Sequence, residues 1–443
     1  MRHNEVDIIT LGCSKNLVDS ERLMRRLEVA GFRCTHDPSS PRGEIAVINT
    51  CGFIGDAKEE SINTILAFGD RKRKGDLKKL YVMGCLSERY RAELEKELPE
   101  VDHYFGKFDY QDVVDAITQY ALSDPKRQNA HLCSDNVADY ERVITTPRHY
   151  AYLKIAEGCN RFCSYCAIPL ITGRYRSRDM QEIVEEAKWL AKQGVKEVNV
   201  IAQDLSAYGT DLYQEHRLPE LVERIADIKG IEWIRLHYAY PTDFPHDLLR
   251  VIRERENVCK YLDIALQHSS DHILSLMRRH ITAAEQEALI QEIRTEVPDI
   301  CIRTTLMVGH PQETEEDFAD LVDFTRRMRF ERMGCFAYSH EEGTFAGEHY
   351  EDDVPEQVKQ QRVETLMDVQ EKIAEETADN NIGKRLPVMI DRKEGNYYIG
   401  RTEWDSPEVD CEVLVSADKT LLTGHIYNIE ITDSENFDLY GKL

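Results

Sequence analysis

Cys159, Cys163 and Cys166 stand in the run Glu157-Gly158-Cys159-Asn160-Arg161-Phe162-Cys163-Ser164-Tyr165-Cys166, a C-x3-C-x2-C spacing that gathers three thiols into one loop. Four irons of a cubane cluster each want a ligand, so three cysteines leave one iron open to bind something other than protein. A structural zinc would want a fourth Cys or His at similar spacing, and Ala167-Ile168-Pro169-Leu170 offers none. Plain burial of three crowded thiols is the remaining alternative. A second set is dispersed: Cys13 in Leu11-Gly12-Cys13, Cys51 in Asn49-Thr50-Cys51-Gly52 and Cys85 in Met83-Gly84-Cys85, each closing an apolar run. Their separations, 38 and 34 residues, match one βαβ unit of about 30 residues or more. Right-handed parallel crossovers would bring all three to the carboxyl edge of one sheet, where open α/β folds bind ligands. Any one of these cysteines alone reads as a small buried hydrophobe; their common position argues for a shared site.

The elements that must position these thiols follow from periodicity. Apolar runs at Val6 to Leu11, Ile45 to Ile48 and Leu80 to Met83 alternate with helical patterns at Leu17 to Ala30 and Ala57 to Phe68, which predicts a parallel sheet. The first helix stops at Gly31, as a C-terminal glycine makes it do. From Tyr120 to Arg148 the pattern dissolves into polar residues with Pro125 and Pro147, read as a linker. Strand-like runs then start near Tyr150, Glu197, Trp233, Tyr261, Ile300 and Met333, with helices such as Met180 to Gln193, Pro219 to Ile228 and Glu315 to Met328 between them. Six βα units predict a partial barrel, not the eight-unit closed one. A charged helix from Pro355 to Asn380 leads to short strands at Leu386 to Ile390, Tyr397 to Arg401, Glu412 to Val415, Thr423 to Ile431 and Phe437 to Tyr440, a small all-β barrel.

The chain has 443 residues, 42% hydrophobic, too long for one ordinary core. No run approaches the roughly 20 apolar residues of a membrane span, and the start lacks the features of a secretory or transit segment; a cytoplasmic address is expected. Twelve cysteines in that compartment are not a disulfide framework, because the cytosol keeps thiols reduced. The net charge of −25 disfavours a partner recognised through phosphates and fits a basic protein better, although acidity for solubility alone would give the same sign.

The cysteine loop, with aromatic Tyr165 before its last cysteine, resembles that of the radical S-adenosylmethionine enzymes. The resemblance implies that the amino and carboxylate groups of S-adenosylmethionine chelate the open iron, which makes the cofactor a source of a 5'-deoxyadenosyl radical. With Cys13, Cys51 and Cys85 ahead of it and a small β-barrel behind it, the whole chain resembles the methylthiotransferase family. That likeness implies an α/β fold: an N-terminal Rossmann-like parallel-sheet domain at 4–120, a linker at 121–144, a partial (βα)6 radical core at 145–376 and a TRAM-like antiparallel barrel at 379–443. It also implies two 4Fe-4S clusters, the second on Cys13, Cys51 and Cys85 and carrying the sulfur to be delivered. Matching stretches are Tyr261 to His268, Arg303-Thr304-Thr305 and Val308 to Thr314; Ala265 and His310 depart from the pattern, which has proline and phenylalanine there. Gln203, Asp204, Gln267, Arg303 and Thr304, polar residues placed after apolar strands, join Tyr165 as candidates for the cofactor or substrate pocket; capping of the next helix is their alternative role. Cys34, Cys133, Cys259, Cys301, Cys335 and Cys411 read as structural.

Family members split into MiaB-like enzymes, which act on transfer RNA adenosine, and RimO-like enzymes, which act on an aspartate of the small-subunit ribosomal protein numbered twelve. Leu11 to Glu21, Tyr238-Ala239-Tyr240-Pro241 and Gly400 to Asp410 resemble the second branch. The last 60 residues carry seven Lys or Arg against twelve Asp or Glu, a sign that repels phosphate and suits a basic ribosomal protein. Nucleic acid is therefore not the expected direct substrate; an external electron donor and a sulfur donor are expected partners. Glu403, Asp405, Glu408 and Asp410, crowded around Trp404 and Pro407, read as rim carboxylates that steer that partner. A transfer RNA enzyme and a non-catalytic iron-sulfur electron carrier are the competing readings; a carrier uses a fourth cysteine per cluster and needs no barrel.

Overall fold

The computed structural model describes residues 2–123, 138 and 140–443; Cys133, Pro125 and most of the linker read at 121–144 lie outside the described residues. The chain divides into two compact units, one of Met1–Thr145, Glu157–Asn160 and Ala167–Arg174, the other of Thr146–Ala156, Arg161–Cys166 and Tyr175–Leu443.

In the first unit, β1 (Arg2–Thr10), α1 (Ser14–Val29), β2 (Arg33–His36), β3 (Gly43–Thr50), α2 (Gly55–Lys74), β4 (Lys79–Gly84), α3 (Cys85–Glu97), β5 (His103–Tyr104) and α4 (Tyr110–Leu122) form a five-stranded sheet of order β2-β1-β3-β4-β5 with helices. Every pairing in it is parallel. Strand β3 is buried along its whole length, as the centre of a parallel sheet covered on both faces must be. Its alternate residues feed two cores: Ile45 and Val47 pack with Leu23, Leu27, Val113 and Ile117, while Ala46 and Ile48 pack with Ile65, Leu80, Val82 and Leu94. Each such aliphatic side chain contributes about 1.5–3 kcal/mol by leaving water.

Next in the chain come β6 (Tyr150–Lys154), β7 (Ala156–Glu157), α5 (Ile168–Thr172), β8 (Arg176–Ser177), α6 (Met180–Lys192), β9 (Glu197–Ile201), α7 (Leu218–Ala226), β10 (Trp233–Ala239), α8 (Asp247–Glu254), β11 (Val258–Ile264), α9 (Asp271–Leu276), α10 (Ala283–Glu296), β12 (Cys301–Val308), α11 (Glu315–Met328), β13 (Arg332–Ala337), α12 (Phe345–His349) and α13 (Glu356–Asp379). Six of these strands make a parallel sheet of order β13-β12-β11-β10-β9-β6, the six βα units of a partial barrel. Alternation along the strands separates two faces. Leu153, Val198, Val200, Leu236, Leu262 and Ile302 are apolar and fully buried; on the opposite face polar groups meet across strands, as His237 does with Asn199 (3.3 Å) and with Asp263 (3.9 Å).

The C-terminal strands β14 (Arg385–Glu394), β15 (Tyr397–Thr402), β16 (Val413–Ser416), β17 (Ile426–Glu435) and β18 (Asp438–Lys442) close a barrel of order β14-β15-β16-β18-β17 around Val388, Ile390, Val413, Val415 and Ile429. The antiparallel expectation needs one correction: β16 and β18 pair in parallel. A closed ring of five strands cannot alternate direction at every seam, so one parallel pair is a geometric requirement.

The steering role expected for the 403–410 segment is corrected for Asp405 and Asp410, whose carboxylates meet arginines of the six-stranded sheet, whereas Glu408 is exposed. Asp405 is 2% exposed and accepts Arg332 Nε at 3.1 Å. Asp410 accepts Arg303 Nε (3.2 Å) and the Tyr261 hydroxyl (3.0 Å), Glu408 accepts the Tyr150 hydroxyl (2.8 Å), and Glu403 accepts the Lys260 backbone N–H (2.9 Å). Met389 adds an apolar contact to Trp233, Cys259, Tyr261 and Cys301. Asp405 and Asp410 fasten the small barrel to the six-stranded sheet by pairing with the half-buried Arg332 and Arg303, the arrangement that makes a desolvated charge tolerable, and Glu403 and Glu408 add hydrogen bonds.

Candidate functional site

Strands β1, β3 and β4 end level, with Thr10 opposite Asn49 and Thr50 opposite Gly84. The three cysteines follow those ends: Cys13 directly precedes α1, Cys85 is the first residue of α3, and Cys51 leads into the loop before α2. Asn16 ties the ends together, donating through Nδ2 to the carbonyls of Leu11 (3.0 Å) and Thr50 (3.1 Å) while its Oδ1 lies 3.6 Å from Cys85 Sγ. Gly12 has φ +89, and a Cβ there would stand 2.7 Å from Cys51 Cβ, so only glycine lets the two thiol-bearing loops approach this closely. Gly84, at φ +101, would likewise press a Cβ to 2.6 Å from the Thr50 carbonyl oxygen.

The electrostatics distinguish these thiols. Burial would raise the pKa of Cys13, but Lys15, Lys107 and the backbone N–H groups of Asn16 and Lys15 bring it below the ordinary thiol value, the effect of a helix N-terminus on a thiolate. Burial pushes Cys85 up to about 12, opposed by Lys107 and reinforced by Cys13 and Cys51; burial also raises Cys51, with Cys13 adding to it. The mutual influence places the three within electrostatic reach of one another. Lys107, almost fully buried, lies 3.8 Å from Asp19 and 3.8 Å from Glu157.

The second triad begins in the same unit with Cys159, whose N–H donates to the Gly173 carbonyl at 3.2 Å. Gly158, φ +75, leaves no room for a Cβ against the Arg174 carbonyl. In this unit α5 also brings Ala167 and Ile171 into apolar contact with Cys85. In the other unit, Cys163 Sγ lies 3.5 Å from Arg279 Nη1 and 3.5 Å from the Tyr240 hydroxyl. Ser164 is held three ways: its N–H donates to the Met277 carbonyl (3.0 Å), its carbonyl accepts the Ala346 N–H (2.7 Å), and its hydroxyl lies 3.4 Å from His310 Nε2. Burial pushes Tyr165 well above the ordinary phenol value, with Cys163, Arg279 and Cys166 as its charged neighbours.

The pocket candidates fare differently. Asp204 is buried and accepts Arg161 Nε at 2.7 Å, so it holds the cluster loop. Gln203 keeps a buried Oε1 with no hydrogen-bond partner among the described residues, an acceptor available to a ligand. Gln267, at φ +71, spans strands through its backbone, donating to Thr305 and accepting from Met307. Arg303 and Thr304 sit early in β12, not at its end: Arg303 serves the small barrel through Asp410, and Thr304 donates its hydroxyl to the Ile264 carbonyl at 2.8 Å. Arg279, Tyr240 and His310 are close to the loop although sequence reasoning gave them no role in the site. The YAYP motif was a signal for Tyr240; for Arg279 in Met277-Arg278-Arg279-His280 nothing local was.

The donor set fits iron-sulfur clusters: three thiols per set, with Lys107 beside the first set and Arg279 against Cys163 of the second as buried cations that would meet an anionic cluster. Among the described residues no three Cys, His, Asp or Glu side chains gather to hold one metal ion; a cubane takes each thiolate on a separate iron. No helix among the described residues is long and apolar enough to cross a membrane.

Comparison with known proteins agrees with this arrangement. The Radical SAM superfamily model matches residues 153–325, that of Uncharacterized protein family UPF0004 matches 5–106 and the TRAM domain model matches 382–443. Three relatives carry the name ribosomal protein uS12 methylthiotransferase RimO. That of Bacteroides thetaiotaomicron is 59% identical, covering 100% of this chain and 99% of the relative. That of Parabacteroides distasonis is 57% identical with 100% of both covered, and that of Christiangramia forsetii 50% identical with 100% and 95% covered. Among solved structures, the radical S-adenosylmethionine methyltransferase TsrM of Kitasatospora setae, with cobalamin and a [4Fe-4S] cluster bound, superposes with TM-score 0.57 at 14% identity over 78% of this chain and 77% of that one. The cobalamin-dependent S-adenosylmethionine radical enzyme OxsB reaches TM-score 0.52 at 12% identity over 83% and 56%. At such identities these structures attest the fold alone.

Proposed function

The chain belongs to the RimO family of radical S-adenosylmethionine methylthiotransferases, and on that premise we propose that it attaches a methylthio group to the β-carbon of an aspartate of ribosomal protein uS12. The observation that carries this reading is the pair of cysteine triads, one in a C-x3-C-x2-C loop and one at three level strand ends. We assign a 4Fe-4S cluster to each, with Cys159, Cys163 and Cys166 as ligands of one and Cys13, Cys51 and Cys85 of the other. Such clusters supply an electron and an open iron that make S-adenosylmethionine a radical source, and an iron on which sulfur is held.

The chain's own residues do the rest. Asp204 and Arg161 fix the loop, Gln203 offers an acceptor to a ligand, and Lys15 and the N-terminus of α1 favour thiolate at Cys13. The division of labour follows the domains read from the sequence: 4–120 for sulfur, 145–376 for radical chemistry and 379–443 for the TRAM-like barrel, with 121–144 as the join. An external electron donor and a sulfur donor complete the reaction, in the cytosol, where thiols remain reduced. The test is an anaerobic incubation of reconstituted, reduced protein with S-adenosylmethionine, sulfide and either uS12 or transfer RNA. Methylthiolated aspartate is the expected product. Modified adenosine would transfer the chain to the MiaB-like branch, and absence of cofactor cleavage would leave an electron carrier.

A further inference from the structure

Arg279 is the largest group around the Cys163 sulfur that the proposed chemistry does not use. Its side chain is 2% exposed. One guanidinium nitrogen, Nη1, faces Cys163 Sγ at 3.5 Å, and Nη2 donates to the Ala265 carbonyl. The guanidinium carbon lies 4.0 Å from the centre of the Tyr240 ring, and that of Arg161 lies 4.3 Å from the same centre. The Tyr240 hydroxyl is itself 3.5 Å from Cys163 Sγ. The third donor, Arg279 Nε, is buried with no hydrogen-bond partner among the described residues. A buried donor without a partner is destabilising, so a cation anchored on a carbonyl and an aromatic face, with one N–H toward a thiol and another unpaired, is built to face an acceptor. A cluster's thiolates and sulfides are such acceptors, and donors to them raise its reduction potential.

We propose that Arg279 is a positioning residue that sets the reduction potential of the cluster held by Cys159, Cys163 and Cys166, with the Tyr240 hydroxyl as a second, weaker donor to the same sulfur. This rests on the assignment of a cluster to that loop. An Arg donor keeps its charge at every working pH, so the tuning it provides is constant. The ring stack and the Ala265 carbonyl keep the guanidinium from swinging away when the sulfur becomes more negative on reduction.

The experiment uses full-length protein in which Cys13, Cys51 and Cys85 are replaced by alanine, so that one reconstituted cluster is observed, and follows its reduced electron paramagnetic resonance signal through a potentiometric titration. Arg279→Gln should keep its iron and lose at least tenfold in the reduction equilibrium constant, about 59 mV downward for one electron. Arg279→Lys should recover most of that loss, and Tyr240→Phe should shift the potential in the same direction by less. Retained iron with an unchanged potential and signal in Arg279→Gln would overturn the proposal. Should that variant lose its iron, an unshifted potential in Tyr240→Phe would overturn it equally. If the parent protein binds no iron at the loop, the cluster assignment fails, which is a different result from an unmoved potential.

Discussion

Replacing Asp405 by alanine removes a carboxylate that is 2% exposed and leaves the half-buried Arg332, with which it pairs at 3.1 Å, without that partner. Asp405 also accepts the Thr402 hydroxyl at 2.6 Å, so a local turn loses its anchor as well. Breaking one side of a buried pair costs about 3–5 kcal/mol, most of it the penalty of the stranded charge. The loss should appear at the junction of the small barrel with the radical core. Limited proteolysis should then cut near 379–384 far faster in Asp405→Ala than in wild type, and urea unfolding should show an earlier transition for the C-terminal part. Asp405→Ala combined with Arg332→Met should recover much of the stability, because an apolar pair of similar volume replaces a buried ion pair at little cost. Asp418→Lys, at an exposed barrel position, should leave stability within about 0.5 kcal/mol. Unchanged proteolysis and unfolding in Asp405→Ala, with only weaker and less salt-dependent binding of uS12, would refute the fastening role and restore the steering one.

Gly12→Ala should lose iron from the N-terminal triad, because its left-handed backbone and a Cβ at 2.7 Å from Cys51 force the two loops apart; iron counting with unchanged circular dichroism checks it. Alanine at Cys159, Cys163 and Cys166 together should leave about half the iron and abolish cofactor cleavage, whereas alanine at Cys13, Cys51 and Cys85 should keep cleavage and attach no sulfur. Burial lowers His310 to about 4, so the unfolded chain binds the extra proton between about 6.5 and 4, and stability falls as pH falls through that window by up to roughly 3 kcal/mol. His310→Phe should flatten unfolding free energy against pH there; an unaltered profile would contradict the assignment. Glu197, buried between Arg401 and Arg235, is held below the usual carboxylate range because the arginines outweigh its desolvation, so its contribution is present above about pH 4.3 and lost below it; Glu197→Gln should reduce the acid sensitivity of barrel docking.

Much of this was legible in the sequence because hydrophobic period and thiol spacing are local signals. All six strand starts of the radical core and all five barrel strands lie within a few residues of their observed positions, since each is an apolar run between turn residues. The level strand ends of Cys13, Cys51 and Cys85 followed from connection length and handedness. What escaped depends on tertiary partners. Short β2 and β5 carry too few residues for a period, and α3, which begins on Cys85 itself, is not among the helical patterns read from the chain. Arg303 and Thr304 read as strand-end residues because their polarity interrupts an apolar run, yet β12 continues to Val308 and their side chains bond Asp410 and the Ile264 carbonyl. Asp405 and Asp410 read as solvated because charge in a turn usually is; the cations that pair with them, Arg332 and Arg303, come from distant strands. Arg279 could not be found from the chain, since its meaning is its distance to Cys163.

The most direct test of the account is mass spectrometry of uS12 from cells with and without this chain. A single aspartate bearing a methylthio increment only when the chain is present is the predicted result. An unmodified uS12 in both, with the increment on transfer RNA adenosine instead, would contradict it.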